Sequence, residues 1–201
     1  MNEFEKSLEN YIGKERLDNI SLMKIGIAGC GGIGSNVAVN LVRSGFKKFK
    51  LVDFDLIEHS NLNRQFYFSS QVGQKKVSVL KDNLVKINLD LDIECADLKI
   101  DIDNVIGMFD DCDLIVEAFD NPACKAMLVS KLINSGKLIV GCSGVAGIGK
   151  SCDIKINKIK DNLIIVGDMV SEVKNSFPLS PRVNVTAAIM ADYILECAVD
   201  K

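Results

Sequence analysis

The chain has 201 residues, 48% hydrophobic and 25% charged, enough to bury a full core in one domain spanning 1–201. A net charge of −3, with no basic run or stripe, argues against a nucleic-acid surface. The acidic start, Met1-Asn-Glu-Phe-Glu-Lys-Ser-Leu-Glu-Asn10, lacks an apolar signal core, and no apolar run reaches membrane-spanning length, so a cytoplasmic protein without membrane contact is expected.

Taken in chain order, residues 3–19 read as an amphipathic leading helix. Lys24-Ile-Gly-Ile-Ala-Gly-Cys-Gly-Gly-Ile-Gly34 reads as a buried strand entering a glycine turn, with a helix over Ile33–Ser44. A strand at Phe49–Asp53, a helix near Val72–Ile87 and a strand around Asp92–Ala96 follow. Asp101 and Asp103 suit a helix start, Leu114–Ala118 a buried strand, and Pro122 the first turn of a helix reaching Gly136. Leu138–Cys142 is the next core strand. Such alternation predicts an α/β fold with a doubly wound, mainly parallel, Rossmann-like sheet and no internal repeat. After Gly149 the period changes to two in Asp153-Ile-Lys-Ile-Asn-Lys-Ile, Asp161-Asn162 supplies a turn, and Leu163–Val166 returns, which predicts an added antiparallel hairpin. Ala188, Ala191, Ile194, Leu195 and Ala198 then recur at helical spacing in a closing helix over Val183–Val199.

Gly29, Gly31 and Gly34 form a G-x-G-x-x-G turn, with Gly32 between them, where a backbone free of side chains can approach phosphates at a helix amino terminus. The loop alone fits oxidoreductases, methyltransferases and adenylating enzymes alike. Its context is narrower. Asp53 and Asp55 lie about 20 residues beyond Gly34, where such folds hydrogen-bond a ribose. Ser60-Asn61-Leu62-Asn63-Arg64-Gln65 and Gly73-Gln74-Lys75-Lys76-Val77 then bring amides, an arginine and lysines to the carboxyl edge of the sheet. That set suits a triphosphate, with Asn61, Arg64 and Gln65 on its phosphate side; solvated surface charge is the plain alternative for Arg64 and Lys76.

From about Ile25 to Val145 these pieces, together with Glu117-Ala-Phe-Asp120-Asn121, resemble the ThiF/MoeB/HesA adenylyltransferases, relatives of the ubiquitin-activating enzymes. The short length and Ser180-Pro181-Arg182-Val183 look most like the compact ThiF of thiamine biosynthesis. The resemblance implies ATP-dependent adenylylation of the terminal carboxylate of a ubiquitin-like sulfur carrier ending in Gly-Gly, in a homodimer. It implies Asp55 at the ribose and Asp120 on magnesium, with Arg64 and Lys76 as catalytic cations. An Asp-Asn-Pro helix cap is the structural alternative for Asp120 and can coexist with metal binding. Lys125 departs from the family, where an arginine commonly sits one turn into this helix; it is read as a phosphate contact without bidentate geometry or as a surface lysine. Relatives place an amino-terminal arginine in the partner's site, and Arg16, the only arginine before the glycine loop, lies outside the usual context.

Seven scattered cysteines without a C-x-x-C pair read as reduced thiols, and zinc is not expected although many relatives carry it on two such pairs. His59, the single histidine, removes most triad chemistry. Cys142 is the best-placed thiol for a covalent step, but no cysteine lies between Val166 and Pro181, where longer relatives carry one, so adenylylation without an enzyme thiol is expected. Two other classes remain: an NAD-dependent oxidoreductase, which leaves Arg64, Lys76 and Asp120 without a task, and a non-catalytic nucleotide-binding relative.

Overall fold

The computed structural model describes residues 1–171 and 176–199; the rest of the stretch between Val166 and Pro181 is thus only partly within the described residues. The elements run α1 (Glu3–Ile12), α2 (Lys14–Leu22), β1 (Lys24–Ala28), α3 (Gly32–Arg43), β2 (Lys48–Val52), α4 (Lys76–Val85) and β3 (Asp92–Ala96). They continue with α5 (Val105–Met108), β4 (Leu114–Glu117), α6 (Pro122–Leu132), β5 (Leu138–Cys142), β6 (Lys155–Lys160), β7 (Leu163–Gly167) and α7 (Ser180–Val199). Apolar strands such as Ile25–Ala28 and Leu114–Glu117 are buried on both faces, as a parallel sheet covered by helices requires.

The seven-stranded sheet has the order β3-β2-β1-β4-β5-β7-β6, parallel except for the β6–β7 pair. The expected hairpin is present, with β7 beside β5 and β6 on the edge, where Lys155, Lys158 and Lys160 discourage further pairing. One apolar cluster lies under α3, α4 and α7, and a second under α5 and α6. The order reverses between β1 and β4, the switch point outside which open α/β sheets bind ligands.

Three element readings are corrected. The leading helix is two helices, because Gly13 takes a φ of 85° and its N–H caps Glu9 O. The helix expected from Val72 starts at Lys76, since Val72 and Gly73 form a turn, with Gly73 at a φ of 86°, and Lys75 then pairs with Leu56 in a β-bridge. The helix start at Asp101 and Asp103 is a polar turn whose Asp101 Oδ1 accepts from Asp103 and Asn104 N–H, and only the single turn Val105–Met108 is helical.

At the start of α7, Arg182 is 4% exposed and its guanidinium donates to Val145 O, Gly149 O, Lys150 O and Asp168 Oδ2. It thereby staples the loops that follow β5 and β7 to the closing helix.

Candidate active site

The glycine turn forms because Gly34 must meet it: a Cβ there would stand 1.9 Å from Gly29 O. α3 therefore packs directly on the turn, and its cap, Gly31, makes no side-chain capping bond, leaving amino-terminal N–H groups for an anion. Asp53 at the end of β2 fixes this turn. Its Oδ2 accepts Cys30 N–H at 2.6 Å and its Oδ1 accepts Asp55 N–H at 2.8 Å.

The 60–67 segment is tied onto the same turn. Asn36 Nδ2 on α3 donates to Arg64 O at 2.8 Å, Ser35 Oγ accepts Phe66 N–H at 3.0 Å, and the buried Tyr67 hydroxyl donates to Cys30 O at 2.8 Å. Burial pushes the Tyr67 hydroxyl far above the usual phenol range, so it stays a donor. On the other side, Ile57 N–H donates to Gln74 O and Lys76 N–H to Asp55 O, which folds the Gly73–Val77 segment back against the residues after β2.

These ties converge on one polar cleft of about 330 Å³ lined by Asp55, Leu56, Glu58, Ser60, Asn61, Arg64, Gln65, Lys76 and Asp120. Lys76 is 5% exposed and its Nζ contacts Asp55 Oδ2 at 2.6 Å. Arg64 Nη1 rests on Ser60 O at 3.1 Å and Asn63 Oδ1 at 2.8 Å. Asp120 enters from the loop after β4, across the switch point. Six of the expected residues, Asp55, Asn61, Arg64, Gln65, Lys76 and Asp120, thus line one cavity. Of the expected glycines, Gly31 faces Gln65 and Gly32 faces Arg64, whereas Gly29 faces Ala118 and Phe119 and Gly34 packs on Gly29, so these two shape the turn. Asp53 stands behind it, its carboxylate occupied by the two N–H groups named above. Leu56, Glu58 and Ser60 were not among the expected residues; their signal was membership of the same segment, since residues that turn around Asn61 necessarily line the same wall.

Two features test a magnesium nucleotide against this cleft. Gln65 Oε1 is the one buried side-chain polar atom without a partner among the described residues. As an acceptor it suits a ribose hydroxyl, and turning the amide end over presents Nε2 to a phosphate oxygen. The lining carries three carboxylates, Asp55, Glu58 and Asp120, against two cations, Arg64 and Lys76. Such a wall does not neutralise a bare triphosphate, but it fits one accompanied by a divalent cation. No group of three or more His, Cys, Asp or Glu residues that could hold a metal by itself occurs among the described residues.

Lys125 is partly buried and does not line the cleft. Its Nζ lies 2.9 Å from Glu117 Oε2, 3.2 Å from Cys142 O and 3.9 Å from Cys142 Sγ. Burial pulls the ammonium down, but Cys142 and Glu117 carry it net upward, so it is charged. Burial pushes the Cys142 thiol up to about 11 despite the nearby ammonium, which leaves it protonated and a poor nucleophile near neutral pH. Arg16 is exposed on α2.

The fold defines an α/β protein of the Rossmann-like class, and the chain belongs to the ThiF family, whose description matches residues 4–196. Among curated relatives, SUMO-activating enzyme subunit 2 of Dictyostelium discoideum is 34% identical over 73% of this chain and 22% of its own length. Adenylyltransferase and sulfurtransferase UBA4 of Candida glabrata is 28% identical over 74% of this chain and 34% of its own. The chain therefore spans between a fifth and about a third of these relatives. Among solved structures, the E. coli tRNA N6-threonylcarbamoyladenosine dehydratase TcdA in complex with AMP has a TM-score of 0.86 at 20% identity, covering 97% of this chain and 93% of that one. E. coli MccB with ATP has a TM-score of 0.74 at 24% identity, covering 92% and 58%. These two share the fold. No described helix is long and apolar enough to cross a membrane.

Proposed function

We propose that this chain adenylylates the terminal carboxylate of a ubiquitin-like sulfur carrier ending in Gly-Gly, of the ThiS type used in thiamine biosynthesis, with ATP and magnesium as co-substrates. The observation that supports this reading is the cleft itself, in which three separated segments bring Asp55, Asn61, Arg64, Gln65, Lys76 and Asp120 around one cavity at the switch point. In the reaction, a carboxylate oxygen of the carrier bonds to the α-phosphorus of ATP. The bond to the bridging oxygen breaks and pyrophosphate leaves. A terminal carboxyl group with a pKa of about 3.5 is already ionised, so no general base is needed and the lack of a histidine in the cleft costs nothing. The work that remains is in-line positioning and neutralisation of phosphate charge.

In this reading Asp55 holds the ribose side, while Asn61, Gln65 and the α3 amino terminus receive phosphate oxygens. Lys76, already oriented by Asp55, gives its other N–H groups to the phosphates, and Arg64 turns from Ser60 O to the leaving group. Asp53 holds the turn that places Asp55 and Cys30 N–H. Magnesium, held by Asp120, would supply charge neutralisation between phosphates. The high Cys142 pKa and its burial support sulfur delivery by another protein.

A second reading, activation of a modified RNA base, is favoured by the TcdA likeness, which spans 93% of that chain, against the −3 net charge of this one. Pyrophosphate exchange into ATP separates the readings. Exchange dependent on a Gly-Gly carrier and on magnesium is expected; exchange dependent on tRNA alone supports the RNA reading. Tighter binding of NAD with no exchange under either condition would return the cleft to an oxidoreductase.

A further inference from the structure

Behind the loop that carries Asp120 lies an ion pair that the chemistry above does not use, a buried carboxylate with a partly exposed lysine. Glu117, the last residue of β4, is 1% exposed and Lys125 stands one turn into α6. Between them run Ala118, Phe119 and Asp120, then Asn121, whose side chain caps α6 through Ala123 and Cys124 N–H. Glu117 Oε1 accepts Phe119 N–H at 2.9 Å from inside this loop, and Lys125 Nζ closes it by contacting Glu117 Oε1 at 3.2 Å and Oε2 at 2.9 Å. The same ammonium donates to Cys142 O at the end of β5, joining the loop to the neighbouring strand. Gly141 makes the room, since a Cβ there would stand 3.0 Å from Glu117 Oε2. A ring of strand end, loop and first helical turn therefore surrounds the three residues that carry Asp120 to the cleft.

A carboxylate buried in this way is an expensive means of holding a fold. A well-packed apolar pair of similar size is often as stable or more so, whereas removing one partner is costly. The pair therefore calls for a task beyond stability, and the loop it braces carries the one carboxylate that reaches the cleft from this side of the switch point.

We propose that Glu117 and Lys125 are positioning residues that fix the loop bearing Asp120, and through it set the affinity of the nucleotide complex for its divalent cation. This rests on the reading of Asp120 as a metal-holding carboxylate. The Lys125 ammonium makes no phosphate contact; it acts on the cation through Glu117 and the Phe119 N–H.

The test measures Mn²⁺ binding to the protein–ATP complex by the loss of the free-ion EPR signal, alongside the Mg²⁺ half-saturation of exchange. The Lys125→Met/Glu117→Leu double variant keeps the volume and leaves no charge unpaired, so it is expected to fold, with the unpaired Phe119 N–H lowering the thermal midpoint by no more than a few degrees. Its Mn²⁺ dissociation constant is expected to rise about tenfold or more, as loss of an outer support for a metal ligand commonly does. Lys125→Arg, which keeps the pair, is expected to stay near the parent. ATP binding without metal is expected to be unchanged in all of them. A folded double variant with parental Mn²⁺ affinity, while Asp120→Asn weakens it, would overturn the positioning role alone. Parental affinity in Asp120→Asn itself would instead remove Asp120 as the metal carboxylate, and the positioning role with it.

Discussion

Replacing Arg182 with methionine removes the clamp between α7 and the loops after β5 and β7 while keeping an apolar stem of similar reach. The guanidinium, 4% exposed, makes four hydrogen bonds, one of them to Asp168 Oδ2 at 2.7 Å. Taking one partner from a buried charge pair costs about 3–5 kcal/mol. Asp168 keeps Val170 N–H, Ser171 N–H and the Ser171 hydroxyl, which favours the lower end of that range. Lys150 and Met169, in the two clamped loops, have left-handed φ of 52° and 63°, and their relaxation returns about 1 kcal/mol. The expected loss is about 2–3 kcal/mol, or about 5–10 °C in midpoint for a chain of this size. pH supplies an independent sign. Burial raises the Asp168 pKa, but the Ser171, Val170 and Arg182 donors outweigh it and hold it at about 2 against an ordinary 3.8. A depressed folded-state pKa stabilises above the unfolded value and is lost as pH falls towards about 2. Thermal scans from pH 6 to pH 2 should therefore show a shallower acid decline in Arg182→Met than in the parent. A midpoint within about 1 °C of the parent, with the same acid slope, would refute the reasoning.

Arg64→Ala and Lys76→Ala should each lower carrier-dependent exchange by about 10²-fold or more with the fold intact, as measured by initial rates and circular dichroism; near-parental rates in both would mean the cleft is not the reaction site. Cys142→Ser should leave exchange within about twofold of the parent, because a thiol with a pKa about 11 takes no part in it; loss of exchange in a folded protein would make this cysteine part of the chemistry. By family resemblance the chain should form a homodimer at micromolar concentration, and an active monomer by light scattering would contradict that.

The cleft was legible in the sequence because its chemistry sits in contiguous segments at strand ends. Gly29–Gly34 and the 60–65 stretch follow β1 and β2, and Asp120 follows β4, so the topology alone carries them to one edge. What was not legible depends on contacts between segments. The start of α4 at Lys76 is set by the turn at Val72 and Gly73 and the bridge between Leu56 and Lys75, and no helical periodicity records a bridge. The two acids after β2 are alike in sequence, yet backbone N–H groups occupy Asp53 and leave Asp55 to face Lys76. Lys125 lies beside Glu117 because a strand, a loop and a helix fold one onto the other, a pairing outside the three- and four-residue spacings of a helix surface. The Gly13 break was present as a residue, but the apolar spacing runs across it and hides the turn.

The most direct measurement is the intact mass of the carrier itself. When the protein is incubated with magnesium, ATP and a ubiquitin-like sulfur carrier ending in Gly-Gly, the account predicts a carrier heavier by one adenylyl group. The adduct should require the terminal carboxylate and form about 10²-fold or more slowly with Lys76→Ala. A carrier of unchanged mass across candidate Gly-Gly proteins, under conditions where the protein binds magnesium and ATP, would contradict the account.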